Sequence, residues 1–258
     1  MRKGNKRQPQ GELFAKKRPK KRGRKRVGRG SPSHRVRPEL KPNLPVHVVL
    51  RAAAVLGGLR KRHIYHALRD ATITVALREL AYDARGAFRI IHLSIQRTHV
   101  HLLVEADDKY ALSRGMQSFQ ISAAKNINRA FSRQRKLTRR RRGSVFPDRF
   151  HQEIITNPTQ ARRALSYVLN NWRKHREDQS EQGRQWNVDP FSTGVLFKGW
   201  KEREGAEALW RWRDTYDPMV VHVPKTWLLS VGWRKAGTIS YLDVPSTPPV
   251  PERALVAA

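Results

Sequence analysis

The 258-residue sequence contains no cysteine. Disulfide frameworks, thiolate zinc sites and cysteine nucleophiles are therefore excluded, and any metal must rest on nitrogen or oxygen ligands. Acidic residues are scarce: 21 Asp and Glu stand against 53 Lys and Arg, a formal charge of +32. A chain so unbalanced repels itself in isolation and calls for a polyanion, on which each neutralised phosphate releases condensed counterions. Long hydrophobic runs are missing as well. No stretch approaches the roughly 18 consecutive apolar residues of a membrane span, and the first residues lack the apolar region of a signal peptide. The expected location is the cytoplasm, in association with the nucleoid.

What is present is unevenly distributed. Residues 1–44 carry 17 Lys or Arg against only Glu12 and Glu39, with almost nothing apolar. Such a segment cannot bury a core and reads as a disordered basic arm that tracks phosphates. From residue 45 the pattern changes. VHVVLRAAA at 46–54 is β-branched and reads as a first, central strand. Residues 60–84 place Ile64, Leu68, Val75 and Leu80 at roughly helical spacing, ending before Gly86. FRIIHLSI at 88–95 and HVHLLVE at 99–105 are separated by three residues, which demands an antiparallel hairpin.

Residues 110–132 space Leu112, Met116, Phe119, Ala123, Ile127 and Phe131 three or four apart, an amphipathic helix that runs into the basic tract RQRKLTRRRR at 133–142. VFPDRFHQEII at 145–155 reads as a last strand. A helix follows over 158–175, with Asn157 as its cap and Pro158 in its first turn. Strand, helix, strand, strand, helix, strand is the ferredoxin-like order, so the fold class is α+β with an antiparallel sheet, and a further helix is added. The core domain spans 45–176. Residues 177–258 form a partly irregular extension whose Trp200, Trp210, Trp212, Trp227 and Trp233 either pack as apolar bulk, the commoner use, or stack on bases.

Two local patterns carry chemistry. On a strand, side chains alternate, so His99 and His101 point to one side while Val100, Leu102 and Val104 point to the other. Two imidazoles brought together in this way can hold a divalent cation and leave positions open for phosphate oxygens. On the last helix Arg163, Tyr167, Asn171 and His175 recur every fourth residue and share a face. A tyrosine with an ordinary pKa of about 10 must be activated before it attacks, and Asn171, one turn on, offers a neutral oxygen ligand. His47, His92, His151 and His175 read as structural or surface histidines. The last two flank the site in sequence, and nothing selects either as a proton carrier.

In combination and order these motifs resemble the HUH single-tyrosine transposases, and among them the REP-associated tyrosine transposases. The stretches that carry the resemblance are PVHVVLR at 45–51, HVHLLVEADD at 99–108, SRGMQ at 113–117, VFPDRFH at 145–151, ALSYVLNNWRKH at 164–175 and DPFST at 189–193. The resemblance implies that His99, His101 and Asn171 bind Mg²⁺ or Mn²⁺. It implies that Tyr167 attacks a phosphate of single-stranded DNA, often beside a hairpin, to give a 5′-phosphotyrosine and a free 3′-hydroxyl. DNA contacts are expected from Arg133, Arg135, Lys136, Arg139, Arg140, Arg141, Arg142, Arg149, Arg163 and Lys174. Family members act as monomers or homodimers, and the basic arm and the extension exceed the family's minimal core.

Two other readings compete. A non-catalytic basic nucleic-acid-binding protein explains the charge but not the pairing of His-x-His with Tyr-x-x-x-Asn. A replication initiator or relaxase shares the histidines and the tyrosine chemistry, but in relaxases the nucleophile commonly precedes the histidines, whereas here it follows them.

Overall fold

In the computed structural model, residues 37–82, 87–203 and 216–245 are described, the side chains of 80–86 and 203 excepted. Most of the expected basic arm, Trp210, Trp212 and the proline-rich end lie outside the described residues, as does the side chain of Leu80.

Four strands form one antiparallel sheet in the order β2-β3-β1-β4, from β1 (Val46–Arg51), β2 (Phe88–Ile95), β3 (His99–Ala106) and β4 (His151–Ile154). With α1 (Arg62–Tyr82) after β1 and α2 (Lys109–Gln134) after β3, this is the expected ferredoxin-like α+β arrangement. β1 is central because Val46, Val48 and Leu50 are fully buried on one side and it is paired along both edges. It is shorter than the expected 46–54. After Arg51 the backbone N–H of Ala52 turns to the Thr98 carbonyl and that of Ala53 to the Val145 carbonyl, and a 3₁₀ turn follows at Ala54–Leu56.

α1 and α2 cover the sheet face to which Val46, Val48, Leu50, Val100, Leu102 and Val104 point. Asp108 caps α2 by accepting from the N–H groups of Tyr110 and Ala111, and the predicted stripe from Leu112 to Phe131 is buried. Gly115 sits where a Cβ would come within 2.1 Å of the Phe88 ring, so the close approach of α2 to β2 requires glycine there.

β2 changes its alternation part-way. The pairing to β3 slips between Ile90 and His92, so Ile91 is an extra residue and the side-chain parity reverses. Phe88 and Ile90, and then Leu93 and Ile95, thereby enter the same core, while Ile91 joins the opposite one.

The final strand is a correction to the sequence reading: 145–155 is not one strand, and only His151–Ile154 pairs with β1. Pro147 has no N–H to donate to a ladder. Val145 is buried instead as a loop residue. Arg133 and Gln134 likewise belong to the last turn of α2, so the basic loop begins at Arg135.

The second face carries α3 (Pro158–Lys174), begun by Asn157, whose side chain accepts from the N–H of Gln160, with Pro158 at the first turn as expected. Its Ala161, Leu165, Val168 and Leu169 pack with Ile91 and Leu103 of the sheet and with Val188, Val195, Phe197, Trp200, Leu229 and Trp233 from the following chain. Trp200 and Trp233 therefore pack as apolar bulk, and the Trp200 indole donates to the Gly194 carbonyl. Trp227, in the short α4 (Trp227–Ser230), stays half exposed.

The outer edge of β2 is covered. Ser192 bridges Ser94, the N–H of Ile95 donates to Phe191, the Thr193 hydroxyl accepts from the N–H of Leu93, and the N–H of His222 donates to Ile90. An open edge would invite pairing with another chain. Among the described residues no helix is long and apolar enough to cross a membrane.

Candidate active site

The register decides which side chains meet on the α3 face. Val49 lies opposite His101 on one side and His151 on the other, and Arg51 lies opposite His99. Cross-strand partners share a face, so His99 and His101 converge with the alternate residues of β1, among them His47. The His47 and His101 rings are stacked, with centroids 5.2 Å apart, and His47 Nε2 lies 3.0 Å from His101 Nδ1. The His99 and His101 rings stand nearly perpendicular, 4.5 Å apart. Nδ1 of His99 is engaged by the Thr98 hydroxyl at 3.1 Å. Both histidines thus have Nδ1 committed and Nε2 directed elsewhere.

α3 brings the second half of the site. The Tyr167 ring lies edge-on to His101 with centroids 5.2 Å apart, and 6.0 Å from His47. Two turns later the His175 ring is 6.3 Å from His99. Asn171 falls between those two contacts on the same helical face and is fully buried. Its Oδ1 and Nδ2, and Nε2 of His101, have no hydrogen-bond partner among the described residues. A buried polar group left unpaired costs about 1–3 kcal/mol, so three such atoms, one on the ring that meets Tyr167 and two on the residue one helical turn beyond it, are costly unless something binds them. Two imidazole nitrogens and an amide oxygen suit a divalent cation, with the amide N–H₂ left to donate to a phosphate oxygen. Among the described residues no group of three or more His, Cys, Asp or Glu is placed to hold a metal. The candidate set differs in kind, with an amide as the third donor.

Electrostatics favour neutral imidazoles. Burial, then the charges of His151 and His99, pushes His47 down to about 4. Burial, then His175 and Arg51, pushes His99 down to about 4, and burial chiefly holds His101 well below its ordinary value. Neutral rings keep the lone pairs that a cation needs. Burial raises the Tyr167 hydroxyl above its ordinary value, so the phenol is not activated by its protein surroundings alone. The Lys174 ammonium lies 5.2 Å from the Tyr167 ring centre.

Residues 43–171 match the family described as transposase, IS200 like. The chain belongs to that family of transposases. No curated protein matches it. Among solved structures, this IS200-like transposase is similar to a REP-associated tyrosine transposase bound to a REP hairpin, at 17% identity over 73% of this chain and 99% of the other, with a TM-score of 0.40. It is also similar to a putative transposase from Deinococcus radiodurans R1, at 16% identity over 60% and 97%, with a TM-score of 0.32.

The basic residues of the transposase divide into two groups. Arg133, Arg135, Lys136, Arg139, Arg140, Arg142, Arg149 and Arg163 are exposed, while Arg141 and Lys174 are partly buried. Arg140 donates to the Lys125 carbonyl, and Arg141 donates to Asn128, Gly143 and Ser144, so these two also tie the loop to α2 and its own backbone. Arg135 lies over the Phe131 ring at 4.7 Å. Sequence reasoning missed His47 of the transposase. The available signal was its place as a polar residue facing away from Val46 and Val48 on a central strand.

Proposed function

We propose that this transposase cleaves and rejoins single-stranded DNA through a covalent link between Tyr167 and a 5′-phosphate, with Mg²⁺ or Mn²⁺ held by His99, His101 and Asn171. The observation that carries the reading is the juxtaposition of the Tyr167 and His101 rings at 5.2 Å, with Nε2 of His101 and, one helical turn beyond Tyr167, the amide of Asn171 both buried without partners among the described residues. When bound, the cation supplies Lewis-acid polarisation of the scissile phosphate.

The chain's own residues do the rest. Thr98 and His47 fix the two imidazoles by their Nδ1 atoms. The Tyr167 oxygen attacks phosphorus and gives up its proton to solvent. The bond to the 3′-oxygen breaks, and that oxygen leaves as a hydroxyl after taking up a proton. Attack by another 3′-hydroxyl reverses the step and restores the phenol. One phosphodiester is exchanged for another each time, so no ATP is consumed. The basic residues at 133–142, with Arg149, Arg163 and Lys174, hold the strand by its phosphates, in a manner that weakens with salt. A hairpin beside the cleaved strand, action as a monomer or homodimer, and residence on the nucleoid follow from the same reading.

The test is cleavage of single strands taken from inverted repeats flanking the gene, scored as protein–DNA adduct on denaturing gels. Adduct is expected with Mg²⁺ or Mn²⁺, and is expected to disappear in chelator and in His101→Ala. Binding that ignores divalent metal, with no cleavage of any strand, would instead mark a non-catalytic nucleic-acid-binding protein.

A further inference from the structure

Between the first turns of α1 and the chain that follows α3 lies a cavity of about 490 Å³ that the reaction at Tyr167 does not use. That volume is in the range of small-ligand sites and exceeds the needs of one nucleobase. Aromatic rings form its walls. Trp186 and Tyr216 have centroids 5.3 Å apart, and Tyr65 stands edge-on to Phe191 at 5.9 Å.

Two connections join this cavity to the strand and helix that carry the candidate site. Arg60, in its lining, donates to the Ile95 carbonyl at 3.0 Å, and the N–H of Gln96 donates to the His99 carbonyl, so the cavity is one hairpin turn from His99. Glu177, on its other side, lies two residues beyond His175, whose ring faces His99.

The charges of the cavity decide what it accepts. Arg60 is committed to Asp189 by two hydrogen bonds of 2.8 and 2.9 Å, and lies 3.8 Å from Glu177. With that guanidinium already paired, Glu177 and Asp217 disfavour a phosphate inside. Gln182, in the lining, brings an amide, which both donates and accepts and so suits the edge of a base. Arg62, exposed and part of the lining, offers a cation to a backbone phosphate.

Resting on the strand-cleaving reading above, we propose that this cavity receives one base of the single-stranded DNA substrate, splayed out next to the scissile phosphate and stacked on Trp186 and its neighbouring rings. Stacking on aromatic side chains is how proteins hold unpaired bases, and it tolerates different bases because each has a π face.

The test compares oligothymidylate with an abasic strand of equal length, using the full chain at raised salt, where phosphate contacts are weakened. Trp186→Ala is expected to lower affinity for oligothymidylate about ten-fold and to leave the abasic strand unchanged. Equal losses on both strands, or none on either, overturn the proposal. Because Trp186 packs on Tyr216, wild-type protein provides the second measurement. An oligonucleotide carrying 5-iodouracil beside the cleavage position is expected to photo-cross-link to Trp186, Phe191 or Tyr216, and cross-links confined to other regions overturn the proposal. Adduct at Tyr167 is scored on the same wild-type preparation. Its absence counts against strand cleavage, while base-dependent binding at Trp186 is scored independently.

Discussion

His47 Nε2 lies 3.0 Å from His101 Nδ1, joining the first strand of the sheet to the third across the α3 face. If His101 offers Nε2 to a cation, its Nδ1 carries the proton and His47 accepts it, which fixes both tautomer and ring orientation. His47→Ala is therefore expected to weaken Mn²⁺ binding about 10–100-fold, as loss of such an outer partner typically does. His47→Gln, whose amide oxygen can still accept, is expected to recover much of it. Titration calorimetry with Mn²⁺ provides the measurement, and unchanged affinity in His47→Ala would show that the contact is incidental.

Glu105 is fully buried on β3, and its carboxylate accepts from Arg89, from the N–H groups of Lys225 and Thr226, and from the Thr226 hydroxyl. One side chain thus ties the chain leading into α4 to the sheet. Replacing Glu105 by Ala removes the carboxylate that pairs with the Arg89 guanidinium, which is almost wholly buried. Breaking a buried pair from one side costs about 3–5 kcal/mol. Urea unfolding is expected to show a loss of that order, and a loss below about 1 kcal/mol, the scale of an exposed ion pair, would contradict it.

Stability is expected to fall in mild acid, in part because of His92. That ring is buried on β2 with Nδ1 2.9 Å from the Thr193 hydroxyl, and burial holds it down to about 4 against an ordinary 6.5. As the pH drops below 6.5 the unfolded chain binds the proton first. The stability contributed by the neutral ring is therefore full above that value and is lost as the pH falls toward 4. The shift corresponds to at most about 3 kcal/mol. Unfolding free energies measured from pH 7 to 4 are expected to decline less steeply in His92→Gln than in the wild type, and parallel slopes would remove His92 as a cause.

Local patterns are legible in the sequence, and long-range ones are not. The alternation of His99 and His101, the four-residue spacing of Tyr167, Asn171 and His175, and the Asn157 cap depend on neighbours in sequence, and each forms as expected. The partnership of His47 with His101 depends on the register of two strands whose residues are 54 positions apart. Pairing of that kind is set by the whole hydrophobic face and cannot be read from either strand alone. The slip at Ile91 was hidden because every residue of β2 is buried, leaving no polar alternation to mark the change of parity. The second core around Trp200 and Trp233 was obscured because much of what packs on α3 there lies in 3₁₀ turns and loops, which carry no periodic signal.

The most direct measurement is mass spectrometry of the peptides recovered from wild-type protein after reaction with single-stranded DNA and Mg²⁺. The nucleotide is expected on Tyr167, with no adduct from Tyr167→Phe under the same conditions. A nucleotide carried by another tyrosine, or adduct from Tyr167→Phe at the wild-type level, would contradict a site built on Tyr167, His99, His101 and Asn171.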